Sequence, residues 1–157
     1  MVWDETLELV PDILAAVEAQ DERVFTLTLR EGHRWSDGQP FTTEDFRFWW
    51  QDVANNAELS PRGLPPELLA GGQPPKVEIL DATQLRFSWS APNPRFLSAL
   101  AAASPLFLYR PAHYLRSFHA KYADPDALTR QAEAAGLTTW AELFRRKDRM
   151  FFFDNPE

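Results

Sequence analysis

The chain has 157 residues, 45% hydrophobic and 25% charged, which are ordinary values for one domain with a real core and argue against wholesale disorder. A net charge of -7 argues against general nucleic-acid binding, and the absence of cysteine excludes disulfides, thiolate zinc sites and a Cys nucleophile while leaving the compartment open. No apolar run reaches the ~18 residues of a membrane span. Nor does the start, Met1-Val2-Trp3-Asp4, carry a basic-then-apolar leader; it reads as the opening of a mature domain.

The charge is uneven: residues 1–60 hold only Arg23, Arg30, Arg34 and Arg47 against thirteen carboxylates. The dense basic cluster of Arg145, Arg146, Lys147 and Arg149 follows a helical pattern and reads as a solvated helix end, where cations suit the dipole. Aromatic residues are rich, with Phe 12 and Trp 6, which fits a well-filled core or apolar surface awaiting a partner.

In chain order, Leu9–Glu18 is expected to form a short helix, with Val10, Ile13, Leu14 and Val17 on one face and Pro11 in its first turn. Asp21-Glu22-Arg23 is a polar turn, and Val24–Arg30 alternates as a half-buried antiparallel strand with Phe25, Leu27 and Leu29 inward. A loop follows, with a tight turn at Ser36-Asp37-Gly38 that needs glycine at its positive-φ position. Thr42 is placed to cap the next helix, with Glu44 and Asp45 in its first turn and Phe41 stapled onto Phe46. Phe46, Trp49, Trp50 and Val53 then make one apolar stripe, ended by Asn55-Asn56.

Leu59–Pro75 reads as an irregular Pro/Gly-rich excursion. Lys76–Leu80 and Gln84–Trp89 are strands around a turn at Asp81-Ala82-Thr83. Asn93 is expected to cap a helix begun by Pro94 that runs through the Ala101–Ala103 segment, Leu106–Tyr109 to be a short strand, and Pro111 to open a helix to about Phe118. Asp124-Pro125 opens a helix to Ala135 stopped by Gly136, and Thr139 with Glu142 forms a capping box for a last helix to about Lys147. Met150–Phe153 is an apolar run with no partner in the pattern, as in a cut polypeptide.

Chemistry-bearing patterns are few. His113 and His119 are six residues apart, on different helical faces, unlike an i, i+4 zinc pair. Phosphate-loop, dinucleotide and nucleophile-elbow motifs are absent. Asp37 reads as a turn residue, and Glu44 and Asp45 as helix-start charges. Trp49, Trp50 and Trp89 read as core, while Trp35 either anchors its loop or, if exposed, stacks on a sugar or peptide. No catalytic, metal or ligand-binding residue is assigned, and no cofactor is expected.

The segment Phe25-Thr26-Leu27-Thr28-Leu29-Arg30-Glu31-Gly32-His33-Arg34-Trp35-Ser36-Asp37-Gly38-Gln39-Pro40-Phe41-Thr42-Thr43-Glu44-Asp45-Phe46 resembles the signature of the family 5 extracellular solute-binding proteins, with Thr43 where the family usually has Ala. The Lys76–Trp89 hairpin, Pro92–Phe96 and Leu106–Arg110 are similar to the stretches that follow, so the resemblance covers about residues 9 to 122. It implies an α+β fold: a small antiparallel sheet with packed helices, forming a subdomain of a type II periplasmic-binding-protein-like fold. Residues 1–123 would be part of the N-terminal lobe and residues 124–157 a helical extension or insertion.

The resemblance further implies a non-enzymatic receptor that captures peptides or similar small solutes for an ABC permease in the membrane. It would be periplasmic or extracellular, with any membrane anchor supplied by a leader outside this chain. A partial lobe is also expected to self-associate through uncovered apolar surface. Two other readings stay open on the residues. A free-standing aromatic-rich module binding carbohydrate or protein would expose Trp35 in a groove. A hydrolase fragment would bring two carboxylates together in one pocket.

Overall fold

A four-stranded antiparallel sheet carries the core. The computed structural model describes residues 1–102 and 106–149. The sheet comprises β3 (Leu14–Gln20), β4 (Val24–Leu29), β5 (Lys76–Ile79) and β6 (Gln84–Ser88), in the order β3-β4-β6-β5. A separate two-stranded ribbon, β1 (Val2–Trp3) and β2 (Leu9–Val10), precedes it. Phe25 pairs with Phe87 and Leu27 with Leu85, so period-2 alternation places all four on one face, where they are buried. Thr26 and Arg86 face each other on the opposite side.

The helix expected over Leu9–Glu18 is instead two strands interrupted at Pro11. Its apolar spacing suits a helix, but ten residues are too few to hold one alone in water. The neighbouring β4 offers a ladder from Ala16↔Thr28 to Gln20↔Val24. The connecting turn takes Asp21 and Glu22 into the left-handed region, at φ 52° and 53°. Tertiary pairing therefore overrides the local pattern, and only Leu14 of β3 is fully buried.

The expected capped helix starts where the sequence places it. Helix α1 (Thr43–Phe48) runs directly into a π-helical stretch, Trp49–Ala54, ended by Asn55. Phe46, Trp49 and Val53 are buried as the stripe requires, while Trp50 is only half-buried. Phe48, outside the stripe, is fully buried because this helix has neighbours on two sides: its ring meets His119, Tyr122 and Phe144.

Helix α2 (Phe96–Leu100) begins two residues later than expected. Asn93 does not cap it: the buried Asn93 side chain donates to the Glu67 carbonyl at 2.9 Å, tying the irregular 59–75 excursion to the sheet's exit. Leu106–Tyr109 is not a strand. It crosses the core without a ladder partner, and its side chains are used for packing, with Leu108 buried and Tyr109 against Phe41 and Phe46. The expectations for residues 103 and 150–153 lie outside the described residues.

Helix α3 (Ala112–Leu115) continues as a 3-10 turn, Arg116–Phe118, and is followed by α4 (Pro125–Ala134) and α5 (Trp140–Lys147). Asp124 caps α4 by accepting from the Ala127 amide at 2.8 Å, and Thr139 with Glu142 closes a capping box on α5. Leu128 and Ala132 of α4 meet Leu143 of α5 in a small satellite core, while Ala141 and Phe144 join the main one.

Every residue of the expected core (Phe25, Leu27, Leu29, Phe46, Trp49, Val53, Leu85 and Phe87) is buried. Removing the buried Trp49 ring should leave a cavity in the main core, so Trp49→Ala is expected to cost on the order of 3–5 kcal/mol in urea unfolding. A loss under about 0.5 kcal/mol would mean that this ring contributes no packing.

Candidate functional site

The most built-up part of the molecule is the strand–turn–helix unit of residues 24–54 and what packs on it. The turn closes through Gly38 N–H to the Trp35 carbonyl and Trp35 N–H to the Gln39 carbonyl, both 2.9 Å, and the Asp37 carboxylate accepts from the Gln39 amide at 3.0 Å. Gly38 sits at φ 86°, as that turn requires. Thr42 caps α1, its hydroxyl accepting from the Glu44 amide at 3.3 Å, and Phe41 stacks edge-on to Phe46 at 5.7 Å.

Asp45 is more than a helix-start charge. It is 4% exposed, and its carboxylate accepts from the Thr42 amide at 3.0 Å, the Trp35 indole at 3.2 Å and the Ala112 amide at 3.0 Å. One side chain thus joins the helix cap, the turn and the start of α3. Burial pushes its carboxyl above the ordinary value, against the pull of those donors. Thr43, where alanine is usual, donates to the Asp81 carbonyl at 2.5 Å and pins α1 to the β5–β6 turn.

Trp35 is the loop anchor. It is 8% exposed, with its ring against Phe41, Tyr109 and His113, which removes the exposed platform that a free-standing sugar- or peptide-stacking module needs. Trp49 and Trp89 are buried as expected; the Trp89 indole donates to the Leu68 carbonyl at 2.8 Å. The histidines are not brought together as a pair. His113 Nε2 lies 2.8 Å from Asp37 Oδ2 at the surface, and His119 is buried with Nε2 2.9 Å from the Asp52 carbonyl. Among the described residues no group of three or more His, Asp or Glu is placed to hold a metal ion.

A second polar cluster was not legible in the sequence. Glu44 pairs with Arg47 at 2.6 Å and with Arg116, while the buried Asp52 accepts from Lys121 and Tyr122, both at 2.6 Å, with Arg47 at 3.5 Å. Two carboxylates do converge here, but on cations rather than on an open pocket. Burial works upward on the Asp52 carboxyl, yet the Lys121 and Tyr122 hydrogen bonds and the charges of Lys121 and Arg47 outweigh it and hold the group below the usual carboxylate range. The cluster is an ion-pair lock between α1 with its π-helical continuation and the segment after α3. The π-helical turn that aims Asp52 inward leaves no periodicity signal by which sequence could find it.

A protein-family model for bacterial extracellular solute-binding proteins, family 5 Middle, matches residues 8–137. The chain belongs to this family. Among similar family 5 proteins, the periplasmic oligopeptide-binding protein OppA of Salmonella typhimurium is 30% identical over 129 residues, 73% of this chain and 23% of that protein. The periplasmic alpha-galactoside-binding protein of Rhizobium meliloti is 31% identical over 121 residues, 76% of this chain and 17% of that protein. A solved structure of an oligopeptide-binding protein OppA overlays 99% of this chain and 24% of its own at TM-score 0.85 and 32% identity. The chain therefore spans about a fifth of the length of these curated relatives. The expected fold class, a mixed α+β piece of a type II periplasmic binding fold, stands.

Two measurements check the site. Asp45→Asn presents an amide N–H₂ to a pocket made only of donors and should destabilise by roughly 1–3 kcal/mol in chemical unfolding; an unchanged midpoint would deny Asp45 its joining role. For Asp52 the folded carboxyl titrates below the unfolded one. Its contribution is present above the ordinary value near about 3.9 and is lost as pH falls through the lower folded value. The stability gap between the native chain and Asp52→Asn should hold at neutral pH and shrink below about pH 4, and a pH-independent gap would contradict the lock.

Proposed function

We propose that this chain is part of the first lobe of a substrate-binding protein that captures peptides or similar small solutes for an ABC importer. What carries the reading is the family match over residues 8–137, together with an overlay on about a quarter of an oligopeptide-binding protein. The relatives named above are periplasmic, which supports a periplasmic or extracellular place for this one, with delivery of the loaded receptor to a membrane permease. Within that reading residues 1–123 are the partial lobe and residues 124–157 an extension or insertion, helical over α4 and α5, which share the satellite core of Leu128, Ala132 and Leu143. The buried state of Trp35 speaks against the free-standing module.

In this reading the chain's role is mechanical rather than chemical. Asp45, Trp35 and the Glu44–Arg47–Asp52 network hold a rigid unit, and a rigid unit is what hinge closure around a ligand needs on each side. Good ligand sites bury roughly 70–90% of the ligand surface, which one part of one lobe does not supply.

Calorimetric titration with a library of short peptides tests this. The 157-residue chain should give no saturable heat, and the longer receptor polypeptide read from the flanking coding sequence should bind. Saturable micromolar binding by the isolated monomer would overturn the reading and favour the free-standing module.

A further inference from the structure

His119 is a buried titratable group to which the proposed function gives no role. It is 3% exposed, and its ring meets those of Phe48 at 6.0 Å, Tyr122 at 5.6 Å, Trp140 at 5.0 Å and Phe144 at 5.6 Å. Both ring nitrogens are occupied. Nδ1 lies 3.1 Å from the Lys121 amide, which only donates, so Nδ1 accepts and carries no proton. Nε2 lies 2.9 Å from the Asp52 main-chain carbonyl, which only accepts, so Nε2 carries the proton and donates it. The two bonds together select one species, the neutral Nε2–H imidazole.

That species sits at a joint. The His119 carbonyl accepts from the Tyr122 amide at 2.9 Å and the Ala123 amide at 3.0 Å, so the ring and the backbone of this one residue shape the turn of residues 119–123. The same turn aims Lys121 Nζ and the Tyr122 hydroxyl at the Asp52 carboxylate. Trp140 and Phe144 bring α5 onto the same imidazole. The π-helical continuation of α1, the 119–123 turn and α5 thus meet at His119.

We propose that His119 is an acid-sensitive latch: protonation of its ring releases the 119–123 turn from Asp52 and loosens α5. A second ring proton goes to Nδ1, where it faces the Lys121 N–H, and an accepted bond becomes a contact between two donors. A carboxylate bonded to the ring would hold an imidazolium in place, but among the described residues the ring's hydrogen bonds go to main-chain groups. The charged groups of the elements packed on it are engaged elsewhere. On α1 and its continuation, Glu44 pairs with Arg47 and Arg116, and Asp52 with Lys121, Tyr122 and Arg47. Beside α5, Glu58 accepts from the Trp140 indole and gives its carbonyl to Arg145, and Glu142 holds the amides of Thr138 and Thr139. A buried charge without a partner is costly, so the charged ring moves to water. The latch therefore has a locked state with a neutral imidazole and a released state with an imidazolium, and acid selects the second. Only the released state takes up the proton, so locking is complete well above the ordinary histidine value near about 6.5 and is lost as pH falls below it. That window lies above the one in which Asp52 titrates.

NMR of the whole 157-residue chain tests this. At about pH 8 the long-range ¹H–¹⁵N pattern of the His119 ring should be that of the Nε2–H tautomer. Hydrogen exchange, corrected for the intrinsic rate, then reads the opening of the Lys121, Tyr122 and Ala123 amides. Their opening equilibrium should rise about tenfold between about pH 8 and about pH 5.5, one unit below the ordinary histidine value, while the amides of β4 stay unchanged. His119→Asn keeps an acceptor two residues before the Lys121 amide, as in an Asx turn, but does not titrate, so its opening should not depend on pH over this range. His113→Asn, at the surface, should behave as the native chain does. An Nδ1–H or doubly protonated ring at about pH 8 would overturn the proposal, and so would unchanged opening at 121–123 in the native chain down to about pH 5.5. A rise that persists in His119→Asn would assign the effect to another group and overturn it as well. Should His119→Asn fail to fold, the native-chain titration decides by itself.

Discussion

The buried carboxylate of Asp45 is the constraint on which the rest of this structure depends. It accepts from the Thr42 amide, the Trp35 indole and the Ala112 amide, and these belong to three segments that otherwise have no shared ladder. An ionised group out of water is tolerated only when its lone pairs are occupied, so each donor is obligatory once the side chain is buried. The Arg110 amide adds a fourth tie, donating to the Asp45 main-chain carbonyl at 3.2 Å. Turn, helix start and the crossing segment before α3 are thereby fixed relative to one another before any apolar contact is considered.

Around that centre the packing runs in two directions. Phe46 of α1 and Trp49 of its π-helical continuation join the core cluster that holds the sheet's inward residues, while Phe48 meets His119 and Phe144. The Asp52 lock sits at this second boundary, and the widened π-helical turn lets Asp52, Val53 and Ala54 all lie buried in succession. The expense of a looser helix is offset by hydrogen bonds from Lys121 and Tyr122.

A receptor that encloses its ligand between moving bodies needs parts that do not deform when the hinge moves. We propose that the strand–turn–helix unit, locked by one buried carboxylate and one ion-pair network, is such a part. The spacing of Trp35, Asp37, Gly38, Thr42 and Asp45 is then understood as architecture, because these residues bond one another's backbone or side-chain groups within the same unit.

The sequence by itself determined the elements whose cause is local. The Ser36-Asp37-Gly38 turn, the Thr42, Asp124 and Thr139 caps, the Asp81-Ala82-Thr83 hairpin and the inward faces of β4 and β6 follow from turn chemistry, capping and period-2 alternation, all readable within a few residues. The signature over residues 25–46 likewise made the family legible. Only the tertiary structure decided that 9–18 is strand, because a ladder partner outweighed a helical spacing too short to stand alone. It alone decided that Leu106–Tyr109 packs without pairing and that Asn93 ties a distant loop rather than a helix. It also made the helix-start charge Asp45, and Asp52, which no sequence pattern singled out, into buried hubs, since their partners Ala112, Lys121 and Tyr122 lie about seventy residues away, and a side chain's burial depends on what arrives from elsewhere in the chain.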